Sequence, residues 1–281
     1  MKHTIGIIGH GFVGKAVENG FTQKGLPVYA YDKYKKLNSF DDVITKSSIF
    51  FLCLPTPFKE KRIDLSIIDE VMHDIANHPQ STNKIFVIKS TVIPGTTTTY
   101  QKQYPTLTIA FNPEFLTEAN YLDDFMNADR TVIGASDTNT KETLQHLYKT
   151  SFPETPVLLT DPTTAEFSKY MANCFLATKV LFANEVYDLA TKIGVHYDEA
   201  VDIVTADARI GNSHFAVTPE RGFGGKCFPK DMIALLGLFE ETGIDSELLA
   251  TVWKKNLRMR KDFDWERIPF VTNTKPPQRA V

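Results

Sequence analysis

Over the first 160 residues, short apolar runs alternate with stretches of helical periodicity. Residues 4–8 (TIGII) form an apolar run that stops at Gly9 and reads as a buried strand. Helical spacing over 12–24 ends at Gly25, and PVYAYD (27–32) predicts a second strand. IFFLCLP (49–55) predicts a third, broken by the turn Pro55-Thr56-Pro57, and 65–77 is helical. IFVIKS (85–90), LTIAF (107–111), TVIGA (131–135) and PVLLT (156–160) supply further strands. Strands alternating with helices at this pitch predict βαβ units, hence an α/β fold with a doubly wound parallel sheet over 1–160.

The pattern changes near Asp161. Residues 162–193 keep helical periodicity without a glycine or an internal proline, roughly nine turns. That is long for a surface helix and predicts a spine joining domains or subunits. Shorter helical patterns at 197–206, 229–241 and 245–262 predict a small all-helical domain over 161–265. Residues 266–281, proline-containing and aperiodic, read as a tail.

Composition narrows the function classes. A net charge of −3 offers no basic footprint for nucleic acid. The three cysteines, Cys53, Cys174 and Cys227, are far apart and lack C-x-x-C spacing, which argues against a disulfide framework or a metal cluster. No apolar run approaches ~20 residues, so no membrane span is expected, and the N-terminal run is too short for a signal peptide. A reducing, cytoplasmic setting follows as the expectation.

Gly9-His10-Gly11-Phe12-Val13-Gly14 is G-x-G-x-x-G, following a strand and opening a helix, with Asp32 at the end of the second strand. In that context it predicts a Rossmann-type NAD site. The first glycine permits the tight turn, the second lets backbone approach the pyrophosphate, and the third allows close helix–strand packing. Asp32 would accept from the adenosine ribose hydroxyls and repel a 2′-phosphate, favouring NAD over NADP. Lys33, Lys35 and Lys36 read as a solvated loop.

Four further clusters carry candidate chemistry. KSTVIPG (89–95), with Thr91, ends the fourth strand on the carboxyl edge, where such sheets bind ligands. NPEFLTE (112–118) ends the fifth and offers Glu114 and Glu118. Glu166-x-x-Lys169-x-x-x-Asn173 lies on the long helix, on one face by its spacing. GFGGKCFPKD (222–231) sets Cys227 between glycines and a proline, beside Lys226 and Lys230 and four residues before Asp231. Each has an ordinary alternative: a buried packing cysteine, glutamates complementing a helix N-terminus, a solvated lysine and asparagine, a surface Arg209. Their joint occurrence, at strand ends and on one helix, favours a site.

On GHGFVG with Asp32, the PTP turn (55–57), KSTVIPGT (89–96), NPEFLTEA (112–119), AEFSKYMANCFLATKVLFANE (165–185), RIGNSH (209–214) and GFGGKCFPKD, the chain resembles the UDP-glucose/GDP-mannose dehydrogenases, the nucleotide-sugar 6-dehydrogenases, over about residues 4–256. The resemblance implies oxidation of a sugar C6 alcohol to the acid with two NAD per turnover. It places Cys227 as the nucleophile, through a thiohemiacetal and a thioester, and Lys169 and Asn173 as oxyanion donors. Asp231, Glu114 and Thr91 would manage protons and water. Cofactor contacts would come from Gly9, Gly11, Phe12, Val13, Gly14, Asp32, Pro55, Thr56 and Thr91. Substrate contacts would come from Glu114, Phe115, Leu116, Glu118, Lys169, Asn173, Phe223, Gly224 and Gly225. Arg209 matches an arginine that reaches the substrate of the partner subunit, which implies a homodimer built on the long helix. No metal is implied. Family members usually continue into a C-terminal domain that clamps the nucleotide, absent from these 281 residues. Two other readings stay open: a single-step dehydrogenase of the 3-hydroxyacid or 6-phosphogluconate type, which needs no cysteine, and a non-catalytic NAD-binding remnant.

Overall fold

The computed structural model describes residues 3–59, 61–269 and 271–272. They divide into two compact units. The first holds the described residues up to Thr56 together with Asp64–Lys169, and the second holds Pro57–Ile63 together with those from Tyr170 onward.

The first unit is built on β1 (Ile5–Ile8), β2 (Val28–Tyr31), β3 (Ile49–Leu52), β6 (Ile85–Ile88), β7 (Thr108–Phe111), β8 (Thr131–Ala135) and β9 (Val157–Thr160). They form one sheet in the order β2-β1-β3-β6-β7-β8-β9. The sheet is not wholly parallel, as the sequence pattern had led us to expect. β7 and β8 pair antiparallel, so β8 and β9, parallel to each other, run against the rest. Apolar runs of this length carry no sign of strand direction.

The helices are α1 (Phe12–Gln23), α2 (Phe40–Lys46), α3 (Ser66–Asn77), α4 (Thr96–Gln103), α5 (Tyr121–Met126) and α6 (Thr138–Ser151). The inner strands are buried on both faces because each alternates between them, whereas Leu158 and Leu159 of edge strand β9 are exposed. Ile8, Phe50, Leu52, Phe86, Ile88 and Phe111 face one apolar cluster. Ile5, Ile7, Phe51, Val87, Ala110 and Ile133 face the other, with Phe21 of α1 and Tyr148 and Phe152 of α6. Chain order reverses at β1, which lies between β2 and β3, and the crevice at the carboxyl ends of these strands is where open α/β sheets bind ligands.

α7 (Pro162–Ile193) is a single helix of 32 residues, beginning in the first unit and continuing into the second. The second unit adds α8 (Tyr197–Thr205), α9 (Phe228–Thr242), α10 (Glu247–Met259), a short 3-10 turn at Asp264–Glu266, and a hairpin of β4 (Phe58–Lys59) and β5 (Arg62–Ile63). The hairpin was not legible because each strand is only two residues long. Part of the expected tail is ordered. Val271 is buried, and the Phe58 amide donates to its carbonyl at 2.8 Å. Residues 270 and 273–281 of that expectation lie outside the described residues. Among the described residues, no helix is long and apolar enough to cross a membrane.

Candidate active site

The glycine turn leaves β1 at Gly9 (φ 91°) and enters α1 with Gly11 as N-cap. A Cβ on Gly9 would stand 2.5 Å from the Cys53 carbonyl oxygen, and one on Gly14 would stand 2.2 Å from the Gly9 carbonyl oxygen, so both positions exclude larger residues. The N-terminus of α1 has no side-chain cap and no acidic residue in its first turn, which leaves its amides and dipole open to an anion. This cradle fits the pyrophosphate of NAD.

Asp32 follows β2. Its Oδ2 accepts the His10 amide at 2.9 Å and its Oδ1 the Tyr34 amide at 3.0 Å, which fixes the carboxylate at the mouth of the turn. Of the lysines read as solvated, Lys33 pairs with exposed Glu70. Lys35 instead lies 3.7 Å from Asp32 and donates to the His10 carbonyl. The His10 ring meets Glu18 of α1 at 2.6 Å. Neither Lys35 nor the His10–Glu18 contact was legible, because both depend on how the β2 loop folds back over the turn. Beyond β3, the Leu54 amide donates to the Ser90 hydroxyl and that hydroxyl to the Leu54 carbonyl, at 2.8 and 2.7 Å. This tie joins the Pro55-Thr56 turn to the segment carrying Thr91.

At the carboxyl ends of β6 and β7 lies a buried charged cluster. Lys169 of α7 meets Glu114 at 3.1 Å, and the two side chains are 3% and 7% exposed. The Leu116 amide donates to Glu114 at 2.7 Å. Lys89, also buried, donates to Asn112 Oδ1 at 2.8 Å, and the Tyr148 hydroxyl donates to the same oxygen at 2.6 Å. Burial lowers the Lys89 ammonium to about 8 and pushes the Cys53 thiol up to about 12. Phe115 lies between two cations, with Arg130 at 4.0 Å and Lys169 at 5.4 Å from its ring centroid. A cavity of about 300 Å³ opens among Lys89, Asn112, Glu114, Phe115 and Arg130. Glu118 sits on the exposed turn beyond, so two carboxylates four residues apart occupy opposite environments. Lys89 was singled out only as the first residue of the 89–95 cluster, without a role, and Arg130 escaped the sequence reading.

Glu166 has a different role from its neighbours on α7. Fully buried, it accepts the Gly95 amide at 2.5 Å, the Thr97 amide at 2.8 Å and the Thr97 hydroxyl at 2.6 Å. It therefore caps α4 from outside, which explains how a helix opening on four threonines forms at all. Burial raises its carboxyl, while the three hydrogen bonds pull the other way.

In the second unit Cys227, partly buried, is the N-cap of α9, with proline in the helix's first turn. One turn in, Asp231 is 1% exposed; its Oδ2 accepts from Asn173 Nδ2 at 2.5 Å and its Oδ1 meets Lys230 Nζ at 2.6 Å. Asn173, Lys230 and Asp231 thus form one buried polar set at the start of the helix that Cys227 caps. Phe223 is buried against Trp253 and Phe228. That leaves the backbone of the loop, more than the Phe223 ring, to meet a ligand. Arg209 is 89% exposed and forks onto Asp207. Among the described residues no group of three or more His, Cys, Asp or Glu could hold a metal ion.

The sequence pattern of the UDP-glucose/GDP-mannose dehydrogenase family matches twice: its NAD binding domain over residues 28–152 and its central domain over 163–258. The glycine turn lies ahead of the first matched segment. A UDP-glucose 6-dehydrogenase of Rickettsia felis is 35% identical over 231 residues, 80% of this chain and 51% of that protein. A GDP-mannose 6-dehydrogenase of Pseudomonas syringae is 32% identical over 247 residues, 83% and 55% of the two chains. The chain thus spans about half the length of the curated relatives it matches. The solved UDP-glucose dehydrogenase of Pyrobaculum islandicum superposes with a TM-score of 0.81 at 29% identity, covering 92% of this chain and 68% of that one. By its glycine turn, its sheet and both matched domains, the chain belongs to the UDP-glucose/GDP-mannose dehydrogenase family.

Proposed function

We propose that this chain oxidises the C6 alcohol of a nucleotide sugar to the uronic acid, with Cys227 as the nucleophile. The carrying observation is the buried Asn173–Asp231–Lys230 set directly behind a cysteine that caps a helix. Burying a carboxylate and an ammonium is costly, and such arrangements concentrate at functional sites. Bound NAD, held by the Gly9–Gly14 turn and Asp32, would accept one hydride at each of the two oxidations. Cys227 Sγ would add to the aldehyde carbon, and its thiol proton would pass to the aldehyde oxygen, giving a thiohemiacetal. Oxidation of that adduct leaves a thioester, and water then adds at the acyl carbon and releases the acid and the Cys227 thiol. The N-terminus of α9 favours the thiolate. Lys169 and Asn173 would donate to the oxyanion. Asp231 and Glu114 would move protons, with Thr91 placing the water.

A homodimer in a cytoplasmic setting completes the reading. On α7, Met171, Phe175, Phe182, Val186, Leu189 and Ile193 recur every three, four or seven residues and are exposed, Phe175 by 68% and Leu189 by 59%. An apolar stripe of that length on one helix suits a second copy.

The test is NADH release by the purified chain on UDP-glucose, UDP-N-acetyl sugars and GDP-mannose. Two NADH per acid formed are expected, and none from Cys227→Ala. One NADH per product, or full turnover by Cys227→Ala, would overturn the thioester route.

A further inference from the structure

The loop that leads into Cys227 is held from outside. Arg221 (φ 58°), Gly222 (φ 57°) and Gly225 (φ 76°) all adopt the left-handed region, and for Arg221 that conformation is intrinsically unfavourable. Two buried amides hold it there. Asn256 of α10 has no exposed surface; its Oδ1 accepts the Phe223 amide at 2.8 Å and its Nδ2 donates to the Phe223 carbonyl at 3.0 Å. Asn184 of α7 is 1% exposed; its Oδ1 accepts the Gly222 amide at 3.2 Å and Arg221 Nε at 2.8 Å, while its own Nδ2 is anchored on the Val180 carbonyl at 2.8 Å. Arg221 also pairs with Asp188 at 2.6 Å. Further along, Asp264 accepts the Gly225 amide at 3.1 Å, and Arg260 donates to the Arg221 carbonyl at 3.1 Å.

The restraint reaches the cysteine by two routes. The Phe223 ring packs edge-on against Phe228, the residue after Cys227, with centroids 6.2 Å apart. Gly225, fixed through its amide, stands two residues before it. A buried asparagine packs less well than leucine and must satisfy every polar atom. Here Asn256 directs both polar atoms to the backbone of the loop, and Asn184 directs its oxygen to the same loop.

We propose that Asn184 and Asn256 are positioning residues for Cys227. They clamp residues 221–225 so that the thiol stands at the N-terminus of α9, where the helix amides and dipole favour the thiolate. The inference rests on Cys227 as the nucleophile, yet its test needs no turnover. Iodoacetamide alkylation of the intact chain, read site by site by mass spectrometry, reports the reactivity of Cys227. Cys53 and Cys174 are buried and burial pushes both thiols up, so label on them reports unfolding.

Asn184→Ala and Asn256→Ala are each expected to slow labelling of Cys227 at pH 7 about tenfold, the worth of one well-made hydrogen bond to the loop. NAD affinity and the protection of Cys53 and Cys174 should stay unchanged, which separates positioning from a general loss of stability. Asn256→Asp reaches the same contact without emptying the core, because it keeps an acceptor for the Phe223 amide and loses the donor to the Phe223 carbonyl. It too should slow Cys227, and it decides the matter if Asn256→Ala does not fold. Labelling of Cys227 unchanged or faster, with Cys53 and Cys174 still protected, would overturn the proposal. Failure of the nucleophile reading shows separately, as full turnover by Cys227→Ala.

Discussion

Lys89 offers a measurable test of the cluster at the sheet's carboxyl edge. Its ammonium is 4% exposed, donates to Asn112 and lies near the rings of Phe51 and Phe125. Burial lowers its titration from 10.5 to about 8. The sign follows from proton counting. Between about 8 and 10.5 the unfolded chain holds the Lys89 proton and the folded chain has lost it, so stability rises with pH across that window. Below it, both states are charged and the folded protein carries the full desolvation cost. At about 1.4 kcal/mol per pH unit that cost is about 3 kcal/mol, and most of it is relieved between pH 7 and 10. Lys89→Met keeps the volume and removes the titration, while Asn112 Oδ1 still accepts from Tyr148. The assay is urea unfolding of both proteins at pH 7, 8, 9 and 10. Stability of the wild type minus that of the variant should climb by about 2–3 kcal/mol over the series. A difference that stays flat, or falls, would refute the reasoning, because it would mean that the ammonium is not desolvated in the folded state. Other groups that titrate in this range are common to both proteins, and those away from the cluster cancel in the difference.

Glu166→Ala leaves the Gly95 and Thr97 donors inside the protein without their acceptor and should destabilise by about 2–4 kcal/mol, seen as a lower urea midpoint. A loss under about 1 kcal/mol would show that α4 does not depend on this cap. Phe175→Glu puts a charge in the middle of the apolar stripe on α7 and should halve the mass measured by light scattering at micromolar concentration. An unchanged mass would remove that face as the dimer contact.

The cofactor half of the site was readable because its determinants are local. A strand, a glycine turn and a helix follow one another within 5–23, and one acidic residue at the end of the next strand completes the set. Short apolar runs likewise identified all seven strands of the main sheet, since strands inside a covered sheet are apolar throughout. Helix α7 was legible from 162 to 193 because nothing in that stretch breaks a helix. The members of the second cluster could be listed but not arranged. Lys169, Asn173, Asp231 and Cys227 were named from their spacing and family likeness, whereas the bond from Asn173 to Asp231 depends on how α9 packs against α7.

What the sequence by itself determined was the alternation of strands and helices, the glycine turn and the cysteine proposed as nucleophile, all properties of short segments with a fixed period or motif. Only the tertiary structure decided the reversal of β8 and β9, the capping of α4 by Glu166, the overlay of Lys35 on Asp32, and the clamp of Asn184 and Asn256 on the loop before Cys227. Each of these joins residues that the pattern of neighbours does not connect. A buried polar side chain takes its partner from whatever unsatisfied backbone the packing brings within hydrogen-bonding distance, and that choice is made only when the elements meet.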